Sequence, residues 1–192
     1  MEIENNILID DLVKRTERVI SKAKIFEALP LEQLQYKSGN QWSILECLEH
    51  LNLYGDFYLP EIEKQIIANQ HKTGSTIFKS GIVGNYFANL MEVKDGKIKK
   101  MKSPKDKNPS RTALSITTIN RFLKQQEQLL NLLQRSRGID LTRTKTAISL
   151  SKFIRLRLGD TLRFYTYHIE RHVWQAEGVM KEIHAKPSLT TV

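Results

Sequence analysis

The arrangement of the chain follows from residues 163–175, which read Arg163-Phe-Tyr-Thr-Tyr-His168-Ile-Glu-Arg-His172-Val-Trp-Gln175. The two histidines are four residues apart, so on a helix their side chains point the same way, with roughly 40° between them. This spacing lets two imidazoles bind one metal ion from a rigid backbone. Tyr165 and Gln175 lie on the same stripe, which brings polar groups into what we expect to be core. A histidine pair alone is more often surface or core than a metal site, so the interpretation needs a third ligand.

The composition indicates one mostly helical domain. A chain of 192 residues can build a core without disulfides or metals. Nine glycines and five prolines are few for this length, which favours helices. Cys47 is the single cysteine, so no disulfide can form within the chain, and we expect it to be a small buried residue. We therefore predict a single domain over residues 1–192 in a reducing compartment.

The net charge of +9 permits attraction to nucleic acid, an acidic membrane surface or anionic substrates. Six lysines lie in residues 97–107, but no aromatic residue stands among them to stack on bases. We therefore interpret this segment as a solvated loop, with His71 also at the surface, and do not expect nucleic acid as a partner. No apolar run approaches the ~20 residues that span a bilayer. The first residues lack the order of a signal peptide, so we expect a cytoplasmic protein with no membrane partner.

Apolar residues at helical spacing predict four long helices. They cover approximately residues 5–29, 43–68, 112–136 and 160–184. Pro30 ends the first helix, and Ser43 with Glu46 forms a capping box that begins the second. Gly138 closes the third, and Asp160 after Gly159 is the predicted N-cap of the fourth.

Two stretches interrupt these helices. Residues 69–111 form a long connection that can carry the chain between two parallel helices, and residues 82–93 within it could form a small helix. Residues 139–158 alternate weakly between apolar and basic side chains, and they fit either an extended strand or a short helix. We find no internal repeat and no second domain. The predicted fold is all-α, a four-helix bundle with a long crossover between the second and third helices.

His50 is the candidate third ligand. It lies two turns into the second helix, on a stripe with Leu53, Tyr54 and Phe57, where a histidine is usually a core residue. Helix axes in a bundle are only ~8–10 Å apart, so His50 can meet the histidines of the fourth helix. Three neutral imidazoles with a fourth position open are typical of a reactive zinc-type centre. Nickel or another first-row divalent ion suits the same donors. We expect His184 to be exposed to solvent.

Two groups of residues carry a family resemblance. The first is Trp42-Ser43-Ile-Leu-Glu46 running into Leu48-Glu-His50-Leu, and the second is His168-xxx-His172-xx-Gln175. The segment 78–81 and the stretch Met91-Glu-Val-Lys-Asp-Gly-Lys add to the pattern. From about residue 34 to residue 180, the sequence resembles the DinB/YfiT-like superfamily of four-helix-bundle proteins.

The resemblance implies an up-down-down-up bundle whose second and third helices are parallel. It also implies a divalent metal ion held by His50, His168 and His172, for which the nitrogen donors favour zinc or nickel, and frequent homodimers. Some members resemble metal-dependent hydrolases, others are thiol S-transferases that use bacillithiol, mycothiol or glutathione, and many have no assigned reaction. A small-molecule substrate, with a low-molecular-weight thiol as co-substrate, is what this implies for the present chain.

Other residues near the predicted site have two interpretations each. Glu46 could act as a catalytic base or orient a ligand, although its capping role alone explains it. Tyr165 and Gln175 could support the metal ligands or contact substrate. The lysine-rich segment 97–107 could favour an anionic thiol.

Three functions stay open from sequence alone. The leading one is a metal-dependent transferase or hydrolase. The second is a nucleic-acid-binding protein that uses the basic surface. The third is a non-catalytic bundle whose histidines are packed core and which acts through a protein-interaction surface.

Overall fold

The computed structural model describes residues 1–71, 74–94, 96, 98, 101–109 and 113–185. The protein is mostly helical, in agreement with the predicted all-α class. The helices are α1 (Asn5–Glu27), α2 (Leu31–Gln35), α3 (Ile44–Asn69), α4 (Ile82–Met91), α5 (Ile116–Arg135) and α6 (Leu158–Ala185). The strands are β1 (Glu2–Glu4), β2 (Ile77–Lys79), β3 (Lys145–Ile148) and β4 (Ser151–Arg157).

The four long helices enclose one hydrophobic core. α3 packs against α5 and α6, and α1 packs against the same two helices. Their amphipathic patterns bury one stripe each, with Leu12 of α1, Leu48 of α3, Phe122 of α5 and Tyr165 of α6 all fully buried. This packing places α3 beside α6, the two helices that carry the candidate ligands. The up-down-down-up order of the helices stays a prediction.

The capping box at the start of α3 is confirmed. The Ser43 hydroxyl accepts a hydrogen bond from the Glu46 amide at 3.2 Å, and the Glu46 carboxylate accepts one from the Ser43 amide at 3.0 Å. The helix therefore begins at Ile44 with two of its otherwise unpaired amide groups satisfied. Cys47, one turn further on, is buried as expected, and burial raises the pKa of its thiol to about 12.

The structure adds two antiparallel strand pairs to the helices. β1 pairs with β2, which ties the N-terminus to the segment before α4. β3 pairs with β4, so the alternating residues 151–157 are a strand. Because this hairpin leads directly into α6, it holds the start of the helix that carries His168 and His172.

The prediction that Asp160 is the N-cap of the last long helix is wrong. α6 begins at Leu158, so Asp160 lies inside its first turn. Its carboxylate accepts hydrogen bonds from the Ser80 hydroxyl and from the Gly81 amide, at the start of α4. Gly159 lies within α6 and packs closely against the Phe78 ring, since a Cβ at this position would lie 2.5 Å from that ring.

The other helix boundaries shift by a few residues. α1 ends at Glu27, two residues short of the prediction, and the short α2 was not predicted. The predicted start of the third long helix, Thr112, lies outside the described residues. The helix α5 begins at Ile116, where the Ser115 hydroxyl accepts a hydrogen bond from the Thr117 amide.

The long connection after α3 crosses the fold. Its helix α4 packs against α6, where the buried guanidinium of Arg163 donates to the side-chain oxygens of Asn85 and Asn89 at 3.0 and 3.2 Å. The connection then returns to α3 through a 3-10 turn, Lys105–Lys107. The small helix predicted within this connection is therefore present. None of the helices in the described part of the chain is both long and apolar enough to cross a membrane.

Candidate metal centre

The structure brings the three predicted histidines together. His50 projects from α3, and His168 and His172 project from α6, with 3%, 5% and 8% of their surfaces exposed. Their ring centroids lie 5.2 Å (His50 to His168), 4.5 Å (His50 to His172) and 4.7 Å (His168 to His172) apart. One nitrogen from each ring lies within 4.8 Å of the other two. The spacing inferred from i, i+4 geometry and from bundle packing is thus confirmed.

The donor set fits a first-row divalent ion. The Nε2 atoms of His50 and His168 are 3.3 Å apart. Two imidazoles bound ~2.0–2.1 Å from a tetrahedral zinc ion have their nitrogens about 3.3–3.4 Å apart. In the part of the chain that the structure describes, the cluster contains only imidazoles, which suits zinc, nickel or copper better than magnesium or calcium.

A backbone carbonyl fixes the orientation of His50. Its Nδ1 lies 2.6 Å from the carbonyl oxygen of Lys107. Because a carbonyl can only accept, Nδ1 carries the proton and Nε2 keeps its lone pair. The lone pair therefore faces the other two histidines. Metal-binding histidines usually donate their second nitrogen to such an acceptor, so this contact is the support that a ligand needs.

Lys107 is held against α3 at a second point. Its ammonium donates to the carbonyl of Leu53 at 2.9 Å and lies 5.8 Å from the centre of the Tyr54 ring. Only 16% of its side chain is exposed, so the expectation of a solvated loop is wrong for this residue. Lys97, Lys99 and Lys100 of that segment lie outside the described residues. Nothing in the sequence marked Lys107 as special, because its contact with His50 comes from the backbone.

Aromatic rings surround the histidines. The Trp42 ring lies 4.8 Å from the His50 ring, and the Tyr54 ring lies 4.9 Å from it. Tyr54 also packs edge-on against His168 at 4.5 Å, and Phe164 stacks on His168 at 5.8 Å. Such a wall excludes water and strengthens electrostatic interactions inside the site. Helical spacing alone places Tyr54 on the His50 stripe, whereas nothing in the sequence assigns Trp42 to the site beyond its place in the family motif.

Burial keeps the histidines neutral. The pKa of His50 is lowered to about 4, mainly by burial; the hydrogen bond to the Lys107 carbonyl opposes this shift, and the charge of Lys107 adds to it. Burial also lowers the pKa of His168 and of His172 well below the usual range, and the charge of Arg171 adds to both effects. A neutral imidazole is the form that binds metal, so the site is ready for metal near pH 7.

Two buried nitrogens of the cluster are unpaired. Nδ1 of His168 and Nδ1 of His172 make no hydrogen bond to any residue that the structure describes. The side chain of Gln175, one turn beyond His172, raises the pKa of that ring and so partly opposes the effect of burial. It therefore lies where the sequence placed it, beside a candidate ligand.

Glu46 and Tyr165 are buried but differently engaged. One carboxylate oxygen of Glu46 caps α3 at Ser43, and the other accepts from the Lys37 ammonium at 2.7 Å. Capping is thus shown, and a role as base stays a prediction. Tyr165 packs on Tyr58 with ring centroids 5.4 Å apart, and its hydroxyl has no partner among the described residues. Burial raises the pKa of Tyr165, so its phenol stays protonated.

The remaining histidines lie away from the cluster. His71 and His184 are both exposed, as predicted. They serve as natural controls for the three buried rings, because they have the same side chain without the convergent geometry.

The fold and the site together define a mostly helical protein with a cluster of three histidines that could hold a metal ion. A family model described as the DinB superfamily matches residues 14–176, and the chain belongs to this superfamily. The match includes all three histidines, and it confirms the resemblance seen in the sequence motifs. Comparison with curated proteins and with solved structures gives no significant match.

Proposed function

We propose that the protein is a divalent-metal-dependent enzyme, a thiol S-transferase or a hydrolase, that acts on a small molecule. The observation that carries the proposal is the convergence of His50, His168 and His172, all buried, with the lone pair of His50 turned inward by a carbonyl. Membership of the DinB superfamily, whose members are often metal-associated, supports it.

His50, His168 and His172 would hold the metal, with zinc or nickel the best match to the donors. A bound ion of this kind lowers the pKa of a coordinated water or thiol toward neutrality. Three protein ligands leave one position of a tetrahedral ion open to substrate. The Lys107 carbonyl holds the proton of His50 at Nδ1, and the Trp42 ring shields the cluster from bulk water.

Several further features belong to the proposal. The second substrate is a low-molecular-weight thiol, and the protein is a cytoplasmic homodimer with an up-down-down-up bundle. Gln175 supports His172, Tyr165 supports the site from within the core, and Glu46 is the candidate base. Glu46 is the weakest of these assignments, because both of its carboxylate oxygens already have partners.

The test is a turnover screen with and without metal. Protein stripped with a chelator is given several low-molecular-weight thiols and an electrophilic acceptor, or ester and amide substrates, before and after addition of zinc or nickel. We expect turnover that requires metal, that is lost in His172→Ala and that persists in His184→Ala, whose histidine is exposed.

The outcome also separates the alternative function. A protein that acts through its basic surface would show no metal-dependent turnover, and it would bind its partner equally well after loss of His172. That pattern, together with a stability that does not change when a chelator is added, would indicate a non-catalytic bundle and not an enzyme.

A further inference from the structure

The β3–β4 hairpin is strongly basic. Residues 143–157 contain five basic residues and no acidic one. The basic residues are Arg143, Lys145, Lys152, Arg155 and Arg157. This segment is separate from the lysine-rich loop and from the three histidines.

The strand register places three of these cations, Lys145, Arg155 and Arg157, on one face of the hairpin. Lys145 stands opposite Arg157, and Ala147 stands opposite Arg155. Residues that face each other across antiparallel strands share a face, and like charges placed so are unfavourable. Arg155 and Arg157 donate to the backbone carbonyls of Lys145 and Lys79, which carry no neutralising charge. Among the described residues, none of these three cations forms an ion pair with a carboxylate. Their positive charge is therefore available to attract an anionic partner.

The same hairpin carries an exposed aromatic side chain. Phe153 is 97% exposed, and it lies two residues before Arg155, where a bulge interrupts the pairing of β4 with β3. Leu150, at the turn of the hairpin, is 52% exposed. Fully exposed phenylalanine is rare among folded proteins and marks an interaction site when other apolar residues are near.

The start of α4 extends this apolar area. Ile82 is 93% exposed and Tyr86 is 61% exposed. α4 packs against β4, and Arg157 reaches the carbonyl of Lys79, three residues before Ile82. The start of α4 and the Arg157 end of the hairpin are therefore adjacent parts of one surface.

We propose that this surface docks on an anionic lipid bilayer. Phe153, Leu150 and Ile82 enter the boundary between headgroups and acyl chains, while Lys145 and the two arginines meet the lipid phosphates. We expected no membrane partner because no segment is long enough to span a bilayer, but a peripheral contact needs no such segment.

The other occupants fit less well. A nucleic acid would stack on Phe153 and pair with the arginines, but the aliphatic side chains of Leu150 and Ile82 contribute nothing to base stacking. A second copy of the chain would bring two faces of the same charge together, which is unfavourable unless acidic residues intervene.

The test is co-sedimentation with vesicles, using the full chain. The vesicles contain phosphatidylcholine alone or with about one third phosphatidylglycerol. We expect retention only on the anionic vesicles, weakening as salt is raised. Phe153→Ser should lower the partition coefficient about tenfold, and Arg155→Gln about fivefold. Ile25→Ser and Lys24→Gln, at exposed positions on α1, are the matched controls and should bind like the wild type.

Four results would overturn the proposal. Two come from the vesicles: no retention on anionic vesicles, or equal retention of the hairpin variants and the wild type. The third is salt-sensitive binding of a single-stranded oligonucleotide without vesicle binding. The fourth is a dimer that Phe153→Ser dissociates, again without vesicle binding. Circular dichroism of each variant establishes that loss of binding is not loss of fold. Because the surface excludes the histidines, a negative result here leaves the metal-centre proposal untouched.

Discussion

Replacing Lys107 by methionine tests the support of the metal centre. The substitution keeps an unbranched side chain but removes the ammonium that donates to the Leu53 carbonyl at 2.9 Å and lies over the Tyr54 ring. The backbone carbonyl that binds His50 remains in the chain. What is lost is the anchor that holds this carbonyl in position.

The magnitude follows from the contacts. A charge-assisted hydrogen bond contributes about 1.5–3 kcal/mol, and a partly exposed cation–π contact contributes about 0.5–1 kcal/mol. Part of this free energy holds the 3-10 turn against α3. Loss of support behind a metal-binding histidine weakens metal binding about 10- to 100-fold. We therefore expect Lys107→Met to raise the Kd for zinc by that factor, while the helix content stays unchanged.

The assay is competition for zinc with a chromophoric chelator. Lys105→Met, in the same turn and exposed, is the matched control and should bind zinc like the wild type. In the metal-free protein, nitrogen chemical shifts of His50 should show the Nδ1-protonated tautomer in the wild type and in Lys105→Met, and a mixture in Lys107→Met. Equal zinc affinity and an equal tautomer in all three proteins would refute the reasoning.

Three other predictions concern stability. Burial lowers the pKa of His50 to about 4, below its value near 6.5 in the unfolded chain, so the unfolded state binds more protons between these values. The urea midpoint of the metal-free protein should therefore fall as pH is lowered from about 6.5 to about 4. The fall should be less steep in His50→Gln. A urea midpoint that does not change with pH would contradict this. Gly159→Ala should lower the melting temperature, since the new methyl group would lie 2.5 Å from the Phe78 ring, and the cost is about 1–3 kcal/mol; an unchanged melting curve would show that Phe78 moves aside freely. Ser43→Ala should cost about 1 kcal/mol through loss of the cap that pairs with Glu46, measured by urea denaturation, and Ser43→Asp should restore most of it.

The periodicity of the sequence was enough to predict the long helices and the meeting of the histidines. Helical spacing places His168 and His172 on one stripe, and a bundle brings neighbouring helices within reach of His50. The capping box at Ser43 was also readable, because its two partners are side chains at a fixed spacing. The helices, the histidine pair and the capping box depend on local rules, whereas the approach of His50 to the pair required the expectation of a helix bundle.

Other features depend on contacts between distant segments. The Lys107 carbonyl supports His50, but every residue has a carbonyl, so no residue type indicates the contact. Asp160 looks like an N-cap by its position after Gly159, yet β4 runs directly into α6 and the Asp160 carboxylate accepts from the Gly81 amide just before α4. Short strands such as β1 are equally hard to predict, since their partners lie far away in the chain.

Metal content measured on protein purified without chelator tests the central claim most directly. We predict about one zinc or nickel ion per chain, bound by three imidazoles. The ion should be retained by His184→Ala and lost from His50→Ala, His168→Ala and His172→Ala, and the cobalt-substituted wild type should show the intense visible absorption of a tetrahedral site. Equal metal content in the wild type and all four variants, or no metal after dialysis against zinc, would contradict the account.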